Sequence, residues 1–299
     1  MSEAPPEPWF EELALVRARV DARLEEVDRV LVVMSGKGGV GKTAVASNLA
    51  VALAGRGLRV GLLDADLNSP TVAKVLGLRG RPVRMVGTDL LPQAGPAGVA
   101  VQSMDFFLQG SQPLAWEGEA GEGAHLRSAL EDAALADLLA QTRWGALDLL
   151  LVDLAPGADR LPALARVSTR IDAALAVTIP TQVSLLAVER SARRALDVRV
   201  ALLGLAENMA SVVCPHCGRE HALFHEASAE GLARELGVPL LARIPFDARI
   251  ASAADAGRPF LEGAGPPDSP AASAFANLAE QVAGWRPGVA AGAESGGET

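Results

Sequence analysis

Cysteine is almost missing from this sequence. Only Cys214 and Cys217 occur in 299 residues, and they stand too close together to staple a secreted disulfide scaffold. A surplus of positive charge is missing too. Against 36 Asp and Glu there are 27 Lys and Arg, for a net charge of −9, which speaks against the basic stripe of a nucleic-acid binder. No apolar run reaches the length needed to span a bilayer. The acidic, Pro-rich stretch from Met1 to Glu12 has neither the positive nor the apolar region of a signal peptide. The expectation is a soluble cytoplasmic chain with no membrane and no nucleic-acid partner. Lysine is the last scarcity. There are three, Lys37, Lys42 and Lys74, all other basic residues being Arg, and two of the three fall in one Gly-rich loop.

What remains is 49% hydrophobic and 4% aromatic, enough for a full core and too apolar for a disordered chain. Helical spacing of Leu13, Val16, Val20, Leu24 and Val27 predicts an amphipathic helix within an N-terminal flank of residues 1–28. Apolar runs at 29–34, 58–64, 99–104, 147–153, 173–179, 198–205 and 239–244 read as strands. Stretches at 44–53, 125–141, 183–196, 232–236 and 271–285 read as helices, and 80–124 as long loops apart from that third run. The strands are uniformly apolar and alternate with helices, which predicts a mostly parallel sheet covered on both faces, a three-layer α/β/α fold. One domain is expected over 29–285, with a disordered tail at 286–299.

Gly36-Lys37-Gly38-Gly39-Val40-Gly41-Lys42-Thr43 matches G-x-x-x-x-G-K-[ST] between a strand and a helix, which marks a P-loop NTPase. Its glycines let backbone N–H groups wrap a phosphate of ATP, Lys42 reaches the β/γ-phosphates, and the Thr43 hydroxyl can ligate Mg²⁺. With Lys37 directly after the first glycine, the loop resembles the deviant loop of the MinD/ParA-like branch of P-loop ATPases, which also holds nitrogenase iron protein. That resemblance implies a homodimer in which Lys37 crosses to the partner's nucleotide. It also implies that Asp66 positions or activates the attacking water, that Asp64 lies near Mg²⁺, and that Asp153, ending an apolar strand, holds Mg²⁺ as a Walker B acid. The bland alternative for these acids is that they cap the next loops.

Cys214-Pro-His-Cys217-Gly218 gathers both cysteines, with His216, His221 and His225 nearby. One chain supplies two thiolates and a symmetric dimer four, the number a cubane cluster needs. Zinc fits the spacing equally well, held by Cys214, Cys217, His221 and His225 in one chain or by four cysteines from two. A thioredoxin-like redox pair fits least, because no matching βαβ context surrounds it.

From about Val30 to Phe260 the chain resembles the Mrp (ApbC-type) iron–sulfur cluster carrier ATPases, on MSGKGGVGKT, GLLDADLNSP, WGALDLLLVDLAPG, LGLAENMA, CPHCG and RIPFDARI through the AGRPF of Ala256 to Phe260. The resemblance implies that Asn208 and the segment around Pro245 flank adenine, and that Cys214 and Cys217 bridge a 4Fe-4S cluster between two subunits for delivery to apo-proteins by a slow ATPase. Four departures stand out. The family's second switch, D-x-P-P-G-T-G-D, here runs Asp153-Leu-Ala155-Pro156-Gly157-Ala158-Asp159-Arg160. Asn68-Ser69 replaces an aromatic-Gly pair, Thr43-Ala44 replaces Ser-Thr, and Trp116-Glu117-Gly118-Glu119 replaces W-R-G-P. A MinD/ParA-like positioning or partitioning ATPase is the competing class. It would want a basic amphipathic C-terminal helix or a basic DNA stripe, and the chain offers an acidic total and a Gly/Ala/Glu-rich end. His125, Trp116, Trp144 and the Arg190, Arg193 and Arg194 face read as ordinary surface or packing residues.

Overall fold

The computed structural model describes residues 8–108, 110, 114, 124–214, 216–224, 227–262 and 268–288. The first half of the chain holds α1 (Pro8–Arg23), β1 (Val30–Met34), α2 (Lys42–Ala54), β2 (Val60–Ala65), α3 (Val72–Val75), β3 (Arg84–Val86), β4 (Asp89–Leu91), β5 (Gln93–Ala94) and β6 (Ala100–Ser103). Then follow α4 (Ala124–Gln141), β7 (Leu149–Leu154), α5 (Arg160–Val167), β8 (Ala173–Thr178), α6 (Gln182–Asp197) and β9 (Ala201–Val213). The chain closes with β10 (Glu220–Ala222), α7 (Ala229–Leu236), β11 (Leu240–Phe246), α8 (Ala248–Asp255) and α9 (Pro270–Gly284).

Every residue of β1, β2, β7 and β8 is buried, the condition of strands covered on both faces. They form the middle of a nine-stranded sheet in the order β10-β9-β8-β1-β7-β2-β6-β5, with β11 also paired to β9. Among the described residues of this sheet, β5 and β10 run antiparallel to their neighbours. Period-two alternation splits the core. Leu31, Val33, Leu149 and Leu151 meet α2, α3 and α9 on one face. Val30, Val32, Met34, Leu150 and Val152 meet α1, α4, α5, α6 and α7 on the other. The layers are therefore helix, sheet, helix, as the apolar strands predict.

Helix α1 buries Val20, and the turn after it Leu24, within that second face. Asp21 accepts from the Ser168 hydroxyl at 2.7 Å, and Arg23 donates to the Ala140 carbonyl at 2.9 Å. At the other end Arg29, 6% exposed, donates to the Val282, Ala283 and Trp285 carbonyls that end α9.

Several expectations need correction. The 80–124 region is not loop throughout: β3 and β4 form a hairpin turning at Gly87, and β5 pairs with β6. Such short strands carry no readable period. The four-residue α3 and the eight-residue α5 and α8 are likewise too brief to register a 3.6-residue pattern. Strand β9 does not stop at Leu205 but continues through the polar pair Glu207–Asn208 to Val213. It can do so because Glu207, fully buried, accepts from the Ala229 N–H at 2.6 Å and from Arg243 at 2.9 Å. The Trp116–Glu119 departure, the position of His225 and residues 289–299 of the expected tail lie outside the described residues.

Candidate functional site

The Gly-rich loop joins the end of β1 to the start of α2. Gly41 is the residue before the helix, at φ 82°, with no side chain to cap the first turn. The first amides of α2 are thus left for an outside acceptor, which the positive end of the helix favours as an anion. A Cβ at Gly41 would lie 2.2 Å from Asn208 Nδ2, and one at Gly36 would lie 2.1 Å from the Ala187 carbonyl carbon of α6. Both positions therefore require glycine for space, and Gly41 for φ as well. Asn208 Nδ2 donates to the Val40 carbonyl at 2.9 Å, and the Gly157 N–H donates to the Ser35 carbonyl at 3.0 Å. These bonds seat the loop between β9 and the segment after β7. Val40 is buried, while Gly38 and Gly39 stay exposed at the mouth.

Three oxygen-bearing side chains meet beside the loop. Lys42 Nζ donates to Asp153 Oδ1 at 2.6 Å, and Thr43 Oγ1 donates to Asp153 Oδ2 at 2.7 Å. Asp64 is the cross-strand partner of Asp153 in the β2–β7 pairing. Its Oδ2 accepts from the Val72 N–H at 3.0 Å and from Ser103 Oγ at 3.1 Å. Burial first, and the Asp153 charge second, push the Asp64 carboxyl up from 3.8 to about 7. Two buried carboxylates side by side with a hydroxyl make an all-oxygen donor set that suits a hard divalent cation such as Mg²⁺. Asp66 lies just beyond. Burial raises its pKa, opposed by the Ser69 N–H and by the charges of Lys42 and Arg160.

Lys37 is half-exposed at the loop mouth, and its ammonium has no hydrogen-bond or ion partner among the described residues. Pro245 is buried in β11 directly after Ile244, the register partner of Asn208. The pair expected to flank adenine therefore sits on neighbouring strands at one level of the sheet.

The cysteines occupy the turn of the β9–β10 hairpin. The Cys214 N–H donates to the Arg219 carbonyl and the Gly218 N–H to the Cys214 carbonyl, both at 2.9 Å, with Gly218 at φ 69°. Backbone N–H groups of Cys217 and His216, then the Cys217 thiol, bond to the Cys214 sulfur and lower its pKa. Cys217 is exposed and Cys214 partly so. His221 lies exposed on β10 opposite Val212. Among the described residues no three His, Cys, Asp or Glu side chains converge as a metal site, so the four-ligand set within one chain would depend on His225.

The hairpin and the phosphate loop share one strand. From Asn208, against Val40, β9 runs to Val213, and Cys214 follows. At Met209 the backbone takes φ 53°, and four residue steps of β9, from Asn208 to Val212, oppose two of β11, from Ile244 to Phe246. The strand bulges directly after its contact with the loop.

Sequence reasoning missed three participants: Ser103, which donates to Asp64; Glu207, which holds β9, β11 and the start of α7 together; and Glu131 of α4, 7% exposed. Each belongs to a short polar pair within a largely apolar stretch and follows no motif spacing. Burial alone would have exposed them.

A family model described as ParA, NUBPL iron-transfer P-loop NTPase, matches residues 26–283. An iron-sulfur cluster carrier protein of Saccharolobus solfataricus is 38% identical over 274 residues, 91% of this chain and 88% of its own. A cytosolic Fe-S cluster assembly factor NUBP1 homolog of Brugia malayi is 37% identical over 81% of this chain and 78% of its own. Among solved structures, a nucleotide-binding protein of Archaeoglobus fulgidus in complex with ADP is similar at a TM-score of 0.70 and 31% identity, covering 83% of this chain and 93% of that one. The cell division ATPase MinD of Pyrococcus furiosus is similar at 0.56 and 26%, over 85% and 98%.

Proposed function

The chain belongs to the ParA family, within the NUBPL-type iron-transfer P-loop NTPases, and from that premise we propose that it is an ATP-hydrolysing carrier that holds an iron–sulfur cluster between two subunits and passes it to apo-proteins. The observation that carries this reading is the continuity of β9, which joins the floor of the phosphate loop at Asn208 to the cysteine turn at Cys214. At roughly 3.3 Å per residue, the two sites stand six residues, about 20 Å at most, apart along one strand. A change in the loop's backbone is thereby felt at the sulfur ligands.

On this reading the amides of Gly36 to Thr43 and the Lys42 ammonium bind the phosphates of ATP. Lys42, now bonded to Asp153, turns to the nucleotide. Thr43, Asp64 and Asp153 would hold a Mg²⁺ ion accompanying the nucleotide, which would supply charge neutralisation for the phosphates. Asp66 orients the attacking water. Lys37, without a partner among the described residues, reaches across from the loop mouth to the nucleotide of a second copy in a homodimer. Asn208 and Pro245 lie beside adenine. Hydrolysis is slow, because its role is to switch geometry.

The cluster is cargo. Two chains present four thiolates, matching a 4Fe-4S cluster, and the lowered Cys214 pKa favours the ligating form. Exposure at the hairpin turn suits transfer. A reducing cytoplasm would keep the two thiols free for it.

Anaerobic purification and reconstitution test the reading, with iron, sulfide and zinc quantified beside molar mass by light scattering. About four iron and four sulfide per dimer, lost in Cys214→Ala/Cys217→Ala while ADP binding persists, is the expected result. Zinc bound one per chain and surviving iron reconstitution would make the site structural. ATP-dependent retention on liposomes or DNA would point to a positioning ATPase instead.

A further inference from the structure

Two of the sequence departures end on one side chain. Asn68, in the segment after β2, donates through Nδ2 to Glu131 Oε1 at 2.9 Å. Arg160, the first residue of α5, donates through Nη1 to Glu131 Oε2 at 2.6 Å. Asn68 stands two residues beyond Asp66, and Arg160 opens the helix that follows Asp153 and its loop. Each oxygen of Glu131 thus takes a donor from one of the two segments that leave the acid-bearing strands. A cleft of ≈ 580 Å³ opens over the three residues and also touches Asp132, Asp159 and Arg166.

Glu131 is 7% exposed, and burial makes the arrangement stiff. A buried carboxylate needs its charge partner and its hydrogen-bond donors, so moving either segment alone would strip a donor from one of its oxygens. The adjacent pair Arg166–Asp132 also joins α5 to α4, but Arg166 is 53% exposed. Solvent screens that pair and leaves it slack.

We propose that Glu131 is a positioning residue for ATP hydrolysis: through Asn68 and Arg160 it ties the segment carrying Asp66 to the segment following Asp153, so that the two move as one unit. Asn68 and Arg160 are then a matched pair, each bonded to one oxygen of the same carboxylate. This inference rests on hydrolysis at the phosphate loop and is indifferent to what the cysteines carry.

Steady-state ATPase assays on the full chain test it, with Asn68→Ala, Arg160→Gln, their double variant and Arg166→Ala. Each of the first two should lower kcat by roughly tenfold to a hundredfold with little change in KM, the pattern of misplaced catalytic geometry. The double variant should fall no further than the worse single one, because both break one unit. Arg166→Ala should keep its kcat. Multiplying losses in the double variant, or singles that match wild type, overturn the proposal. If Arg160→Gln does not fold, Asn68→Asp decides the matter. It sets two carboxylates together and should depress kcat, and adding Glu131→Gln restores an amide–carboxylate bond and should recover it. Failure of that exchange to recover kcat also overturns the proposal. A wild-type chain without ATPase would sink the nucleotide reading itself, a result distinct from additive variants of an active enzyme.

Discussion

Asn208 donates to the carbonyl of Val40 at 2.9 Å and fills the space that any side chain on Gly41 would need. One amide on β9 thereby supports the phosphate loop and forbids it a Cβ, and six residues later the same strand delivers Cys214.

Asn208→Ala should uncouple the phosphate loop from the cysteine turn. Losing one buried hydrogen bond costs about 1 kcal/mol, so ADP affinity should drop several-fold while the reconstituted cluster content of the resting protein stays at its wild-type level. The effect of ATP on cluster release to an apo-acceptor should shrink or vanish. Transfer kinetics with and without ATP check this, and an ATP effect of wild-type size in the variant would refute the coupling.

Gly41→Ala meets two obstacles, the φ of 82° and the Asn208 amide 2.2 Å from the new Cβ. Strain at such a position is on the order of 1–3 kcal/mol, and nucleotide binding should be lost. Pairing it with Asn208→Ala removes the collision but leaves the backbone strain. The double variant should therefore regain part of the melting temperature, and a double variant less stable than the additive sum of both singles would contradict the geometry.

Asp64 sets a pH dependence. Its folded pKa of about 7 lies above the ordinary 3.8, so between those values the folded chain holds a proton that the unfolded chain has released. Stability without metal therefore declines as pH rises across that window. Mg²⁺ has to displace the proton, so stabilisation by Mg-ADP should grow as pH approaches and passes 7. Melting temperatures from pH 5 to 8, with ADP alone and with Mg²⁺ and ADP, test both slopes. A magnesium increment that does not vary with pH would exclude Asp64 as the titrating ligand.

Cys214 should alkylate as a thiolate at lower pH than a free cysteine peptide, because the N–H groups of Cys217 and His216 point at its sulfur. Mass spectrometry of iodoacetamide adducts against pH reads the midpoint directly, and bound cluster should protect the residue. A midpoint at or above that of the peptide would mean that the turn does not favour thiolate.

The loop from Gly36 to Thr43 and the strand ending in Asp153 were legible in the chain, since both depend on local constraint: glycines where backbone must turn and donate, an acid where an apolar strand emerges. The parallel sheet was legible for the same reason, uniform apolar runs having no other use. Glu131 was not, because an acid beside Asp132 in the middle of a helix reads as surface until Asn68 and Arg160 are brought to it from 63 and 29 residues away. Nor was the reach of β9. The polar pair Glu207–Asn208 looks like the end of a strand, and only Arg243, the start of α7 and the Val40 carbonyl give it partners inside the core. By itself the sequence determined the layers, the phosphate loop and the paired cysteines, each written in residues close along the chain. Tertiary structure alone decided that loop and cysteines share one strand and that the two altered segments meet on Glu131, because hydrogen bonds between buried polar groups join residues that no local pattern connects.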